Sequence, residues 1–444
     1  MAARPSTWVR IFGVAATYVG TVIGAGFASG QEIWTFFGRF GPAGFAGLAL
    51  AGAVFAVAGG RALALGAAGN ACDTHYQILR QLFGPLAPAF DAVLLLFLTV
   101  LGGVMLAGAG ALVRFLGWPS WAGILATAAL GLLVLAADLP ALVSVNGLVV
   151  PCLLLVACLI SLGSLRLPPL GLRPAGPLFG WPVSALLYAS YNTIMSLPVL
   201  AALGRKERCA PVLRRGGLWG AACLTLAGGL VFAALLRRAG VSAKSEVPMA
   251  AIASSLGAPV RVAFSIVLWA EMFTTLIADL YGVATRLRQL LGGPLAAWSA
   301  AAMAAGIVTS RLGFARLIGT AYPAFGLICL AVLARLIMPA RTGPRHPARA
   351  CLTRPRPGDN DVGNARRVVP PDFCHRTKIS PDVSRETAPV GTGRKAENPD
   401  AMPSVDRPRA TGALRYTSLS VSAGCAPQDP GQVKGGRAEG KLGP

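Results

Sequence analysis

The chain is a succession of apolar runs long enough to cross a bilayer, and this limits what it can become. A spanning helix needs roughly 20 consecutive, mostly apolar residues. Ten runs of this kind can be read, at about 10–38, 43–68, 90–116, 120–137, 143–163, 180–202, 215–236, 259–284, 294–309 and 314–338, the fourth and ninth being short. In lipid the backbone must satisfy its own hydrogen bonds, so such runs form helices. Charge agrees: 13% of residues are charged, against about a quarter in a soluble domain. Between the runs, 69–89, 204–215 and 237–258 are polar enough for surface loops. The last contains "VPMAAIASSLG", apolar but too brief to span, as expected of a short amphipathic or re-entrant piece.

The chain carries a net charge of +22. Residues 1–340 hold 22 Lys and Arg against 8 Asp and Glu, and the remaining 104 residues hold 18 against 10. In the first part the arginines fall mostly between apolar runs, where membrane loops place them. No basic stripe alternates with aromatics, so nucleic acid is not expected as a partner. With the N-terminus cytoplasmic, 11 basic residues fall on the inner side and 10 on the outer, before Arg335 and the tail add to the inner count. That weak bias, with an even number of spans, favours both termini in the cytoplasm of a multi-pass inner-membrane protein. Residues 341–444 are rich in Pro, Gly, Arg and Ser without apolar periodicity, the composition of a disordered basic cytoplasmic tail. No cleavable signal peptide is expected. The nine cysteines show no CxxC pair, and the spans hold no His or Cys nucleophile cluster. Neither a metal cofactor nor an enzyme is therefore expected.

The first run contains "VGTVIGAGFASGQEIWTFF", which places Gly20, Gly24, Gly26 and Gly30 before Gln31 and Glu32. Glycine weakens a helix and a carboxylate is costly in lipid. One reading is packing, since Gly20-x-x-x-Gly24 and Gly26-x-x-x-Gly30 let membrane helices approach closely. The other begins at Ser29, because Ser29-x-x-Glu32 is a capping-box pattern and marks a helix start inside the span. One helix then ends near Ile23, the backbone opens through Gly24 to Ala28, and a half-helix runs from Gly30 to about Phe37. Glu32 lies in its first turn, where the helix dipole favours negative charge. The opened amides face an anionic group and the freed carbonyls face a cation, the arrangement of secondary transporters with discontinuous helices.

A second interruption is expected in the sixth run, "LLYASYNTIMSLPVL", through Ser190, Asn192, Thr193, Ser196 and Pro198. The alternative is a kinked helix whose polar side chains bond to their own backbone. Similar offsets, from Phe27 to Asn192 and from Asp91 to Arg261, fit two five-helix halves, about 8–165 and 178–338. Five is odd, so the second half is inverted. The eighth run, "WAEMFTTLIADLYG", places Glu271, Thr274 and Thr275 on one face, with Asp279 a turn further on. The threonine hydroxyls could join the first span's carbonyls around sodium, or Glu271 could carry a coupling proton. Phe27, Tyr188 and Tyr191 could line a solute pocket.

These three motifs closely resemble the YkvI-like family of bacterial membrane proteins, related to the amino acid–polyamine–organocation transporter superfamily, over roughly residues 8–338. The resemblance implies an all-α fold of about ten transmembrane helices in a five-plus-five inverted repeat with discontinuous first and sixth helices. It implies a sodium site at the carbonyls of Gly20 and Ile23 and the hydroxyls of Thr274 and Thr275. Glu271 departs from the superfamily pattern, where a small residue usually contributes only a carbonyl. It implies solute binding at Ala25, Gly26, Phe27 and Ala28 and at Ser190, Tyr191, Asn192 and Thr193. The expected function is secondary active transport of a small amino-acid-like solute by alternating access, coupled to sodium or proton. The alternatives are a non-transporting receptor for a small solute on the same scaffold, and an assembly protein whose glycines serve packing only.

Overall fold

The computed structural model describes residues 6–70, 75–136, 142–171 and 180–338. The expected tail, 341–444, lies outside the described residues. The ten apolar runs become helices in the expected order. The first is split into α1 (Thr7–Val22), the single turn α2 (Ala25–Ala28) and α3 (Gln31–Phe37). A 3-10 segment, Gly38–Ala43, leads into α4 (Gly44–Leu65), which ends in a π turn at Gly66–Asn70. The short α5 (His75–Phe83) precedes α6 (Ala87–Phe115), α7 (Ser120–Ala136) and α8 (Leu142–Ser164). The second half comprises α9 (Trp181–Glu207), α10 (Ala210–Arg237), the short α11 (Ala239–Ser242) and α12 (Pro248–Ser254), α13 (Ala258–Leu291), α14 (Leu295–Ser310) and α15 (Phe314–Ile337). The piece "VPMAAIASSLG" is thus α12, a helix too short to span.

Local sequence explains the boundaries. α9, α10 and α13 each carry Pro in the first turn, where its missing N–H is not needed. Large apolar side chains such as Phe12, Leu133, Leu226 and Leu327 stand exposed around the outside, a surface suited to lipid. The protein is a multi-pass membrane protein.

The sixth run corrects an expectation: α9 is one continuous helix, with Pro198 inside it. Its polar side chains bond to their own helix rather than breaking it. Ser190 Oγ donates to the Leu187 carbonyl at 2.9 Å, Asn192 Nδ2 to Tyr188 at 3.0 Å and Ser196 Oγ to Thr193 at 3.1 Å. Among the described residues, only the first span is discontinuous.

α4 packs along α9 and α10 along α1, and α6 packs along α13. If α1 corresponds to α9 and α4 to α10, the first two contacts are images of each other, as a five-plus-five repeat requires. Small residues set the α4–α9 spacing. A Cβ on Gly204 would run into the Leu63 carbonyl, and one on Gly66 into that of Ala201. Here backbone meets backbone, so neither side can yield. Ion pairs join loop ends on a common side. Arg10, near the start of α1, pairs with Glu207 at the end of α9, and Arg114 pairs with Glu246 on the opposite side.

Gly204→Ala should therefore cost about 1–3 kcal/mol, the usual penalty of overpacking. Gly229→Ala, whose added methyl meets open space, should leave the detergent-solubilised protein's melting temperature unchanged. Equal melting temperatures for the two variants would show that α4 and α9 are not held at backbone contact.

Candidate functional site

The break in the first span is built from two backbone departures. Ile23 is extended (φ −80°, ψ 114°) and so is Gly24 (φ −131°, ψ −172°). After the turn of α2, Gly30 adopts φ +78° and caps α3. That left-handed conformation favours glycine. A Cβ there would also lie 2.9 Å from Met249 Cγ and 3.0 Å from Leu235 Cδ2. The end of α1 leaves its last carbonyls without partners in the following turn, as any helix end does. The break is roofed by α12, whose Met249 amide donates to the Ser29 carbonyl at 2.9 Å.

The expected capping box does not form. Ser29 Oγ donates to the Gly26 carbonyl at 2.9 Å and accepts from the Gln31 amide at 3.3 Å. The carboxylate of Glu32 turns away from the Ser29 amide and crosses to α9. It accepts hydrogen bonds from the Tyr191 hydroxyl and, at 3.4 Å, from Asn192 Nδ2. Its other oxygen lies where a Cβ on Gly26 would be, 2.5 Å away. A buried carboxylate finds stronger compensation in a phenol and an amide across the core than in one amide of its own chain. Glu32 is 5% exposed and remains in the first turn of α3, at the favourable end of the helix dipole.

The glycine question therefore divides. Gly20 and Gly24 meet nothing within 4 Å where a Cβ would stand, so the first small-xxx-small pair packs against no neighbour. Gly26 makes room for a carboxylate, and Gly30 makes the turn.

Around Glu32 lies an aromatic shell. Tyr191 packs against Phe36, Tyr188 and Tyr322, with ring centroids 5.8, 5.9 and 5.2 Å apart. Tyr322, on α15, carried no motif and was not singled out from the sequence. It lies within electrostatic reach of both Glu32 and Asp279.

Of the residues expected at the solute site, Ala25, Gly26, Phe27 and Ala28 are buried, and Gly26, Tyr191 and Asn192 meet at Glu32. Thr193 is buried with its hydroxyl unpartnered. Ser190 also bonds to the Gly326 carbonyl of α15 at 2.7 Å, so it ties two helices together. The void beside Phe27, Phe55 and Tyr188 is only about 10 Å³, too small for a solute.

On α13, Glu271 is 2% exposed. Its Oε1 accepts from Thr275 Oγ1 at 3.4 Å, and its Oε2 has no partner. Thr274 Oγ1 donates to the carbonyls of Ala270 and Glu271 at 3.1 and 3.2 Å. α13 packs against α2, but no described contact joins Thr274 or Thr275 to the carbonyls of Gly20 or Ile23. Further along, a cavity of about 430 Å³ separates α13 from α5, α6 and α9. Arg286 bonds there to Asp91 through Nε and Nη2, at 2.8 and 2.7 Å.

No protein-family model matches the chain. It is 31% identical over 331 residues to the uncharacterized membrane protein YkvI of Bacillus subtilis (strain 168), covering 73% of this chain and 94% of that protein. It is 27% identical over 334 residues to the uncharacterized protein YyaD of the same organism, covering 72% and 94%. Among solved structures, the inward-facing conformation of Mhp1 superposes with a TM-score of 0.52 at 15% identity, over 74% of this chain and 75% of that one. A manganese transporter of Eremococcus coleocola gives 0.51 at 15% identity, over 74% and 80%. At that identity the likeness establishes the fold, the five-plus-five inverted repeat of Mhp1. None of these proteins is named as an enzyme.

The close approach of Gly26 to Glu32 makes a coupled prediction. Gly26→Ala should cost about 1–3 kcal/mol in the parent chain, and much of that cost should vanish in a Glu32→Ala background. Equal costs in both backgrounds, measured by reversible unfolding in mixed micelles, would show that the glycine does not serve the carboxylate.

Proposed function

The chain belongs to the YkvI family of membrane proteins, and we propose that it is a secondary active transporter of the cytoplasmic membrane. It moves a small amino-acid-like solute by alternating access. The observation that carries this reading is the opened backbone of the first span, buried against α9 and bridged to it by Glu32. Irregular backbone at membrane depth is tolerated where it is buried in protein or lines a cavity, and discontinuous helices hold the solute and ion sites of secondary transporters. Both termini are cytoplasmic in this reading.

The solute's charged group is held by the amides of Ala25, Gly26 and Phe27, and its remaining polar atoms by Tyr191, Asn192 and Thr193. The Ala28 amide, also expected there, is given to the Gly24 carbonyl at 3.0 Å. Ser190 contributes only if α15 moves, because its hydroxyl is occupied there. In the described conformation Glu32 fills part of this space. Solute entry requires it to release Tyr191 and Asn192, and that exchange couples occupancy to the position of α3 against α9.

Coupling acts at α13. Sodium would be held by the carbonyls of Gly20 and Ile23 with the hydroxyls of Thr274 and Thr275, oxygen ligands that suit a hard cation. A proton would be carried by Glu271, whose unpartnered Oε2 is free to take it. The same carboxylate touches Thr275, so the two couplings meet at one place.

Uptake of labelled amino acids into proteoliposomes tests the reading. Accumulation above equilibrium under a sodium or pH gradient is expected. Thr275→Ala should abolish a sodium-driven signal, and Glu271→Gln a proton-driven one. Saturable binding with no accumulation under either gradient would point to the receptor alternative and end the transporter reading.

A further inference from the structure

The cavity beside α13 shares no lining residue with the expected solute site and has its own chemistry. It is lined by α5, α6, α9 and α13, on the side of the spans where Arg10 meets Glu207. At about 430 Å³ it falls in the size range of small-molecule sites. One wall is apolar, made by Leu94, Leu98, Met195 and Pro198. The polar groups are Tyr76, Asp91, Asp279, Tyr281, Thr285, Arg286 and Gln289.

The charges do not balance. Arg286 gives two bonds to Asp91, a third to Gln289 Oε1 at 3.2 Å, and stacks on Tyr76 with its guanidinium carbon 4.6 Å from the ring centroid. That cation is committed and fixed. Asp279 lines the same cavity and is only 8% exposed, yet it receives no described hydrogen bond or ion pair, and its Oδ2 is buried without a partner. Thr285 Oγ1, also lining the cavity, is buried and unpartnered. The pocket thus has one cation and two acidic side chains, and the second acid has no partner. An unpaired carboxylate in such a place is costly unless it takes up a proton or a cation joins it.

We propose that this cavity is a second binding site, for a small organic cation with a primary ammonium group. The ammonium donates to the Asp279 carboxylate, and the apolar body lies against Leu94, Leu98 and Met195. The Arg286–Asp91 pair, braced by Tyr76, forms the rigid opposite wall. It repels a second cation and keeps Asp91 from competing for the first. A hydrated inorganic cation would gain nothing from the apolar wall, so the site distinguishes organic from inorganic cations by surface burial.

This site lies apart from the one proposed for transport, and equilibrium binding to the purified full-length protein tests it whether or not the chain transports anything. Calorimetric titration in detergent with butylammonium chloride should show saturable binding. 1-Butanol, the same shape without charge, should bind about tenfold or more weakly, as expected for loss of a charge-assisted hydrogen bond. Asp279→Asn should weaken the amine to the level of the alcohol. It should also fold well, because it removes an unpaired buried charge. Should it not fold, Leu98→Trp, which fills the cavity and leaves its charges intact, should abolish binding. Amine and alcohol binding alike, undiminished binding in Asp279→Asn or in Leu98→Trp, or displacement by equimolar sodium chloride at constant ionic strength would overturn the proposal.

Discussion

The structure turns on one carboxylate. Glu32 lies inside the protein at the start of a half-helix that exists only because the span before it has opened. It is held by the Tyr191 hydroxyl and Asn192 amide of a helix 160 residues away in sequence. Without that bridge the opened turn would leave a buried charge and a set of loose backbone dipoles in the hydrocarbon layer, each costing several kcal/mol. With it, the dipole of α3, the space left by Gly26 and the polar face of α9 satisfy one another. α12, roofing the break through Met249 and Ser29, closes the remaining side.

The pseudo-symmetry is incomplete, and the incompleteness has a physical cause. α1 and α9 take matching places against α10 and α4, but only the first of them is broken. The first run opens where Ile23 and Gly24 leave the helical region, and Gly30 supplies a left-handed turn before α3. The sixth has hydroxyl and amide side chains that bond back to carbonyls three or four residues earlier, which keeps a helix intact. One half of the scaffold thus presents opened backbone at this place and the other presents side chains. Two buried acids on α13, Glu271 and Asp279, belong to the second half, as the buried Glu32 and Asp91 belong to the first.

Much of the architecture was legible in the sequence because apolar length is a strong signal. Each of the ten runs corresponds to a helix or a broken helix, and the weak fourth and ninth runs are the short α7 and α14. The break was legible too, since glycines beside Ser29 and Glu32 have few uses in lipid. What the glycines do was less so. Gly26 and Gly24 look alike in the sequence, but only Gly26 faces a carboxylate. The capping box was misleading for a related reason: Ser-x-x-Glu describes what a glutamate can reach on its own chain, and Tyr191 offered more. Ser190 is expected at the solute site by resemblance, and its bond to the Gly326 carbonyl leaves no mark in sequence. The cavity was invisible for the same reason, since only the fold brings Asp91 of α6 beside Asp279 and Arg286 of α13.

Glu32 is therefore the residue that stabilises the opened span and, in the transport reading we propose, the one that must let go before a solute is held there. Cryo-microscopy of the reconstituted protein through residues 19–37 tests this most directly. The account predicts two helical pieces separated at Ile23–Gly24, with side-chain density joining Glu32 to Tyr191. A single unbroken helix from Thr7 to Phe37, with Glu32 directed away from α9, would contradict it.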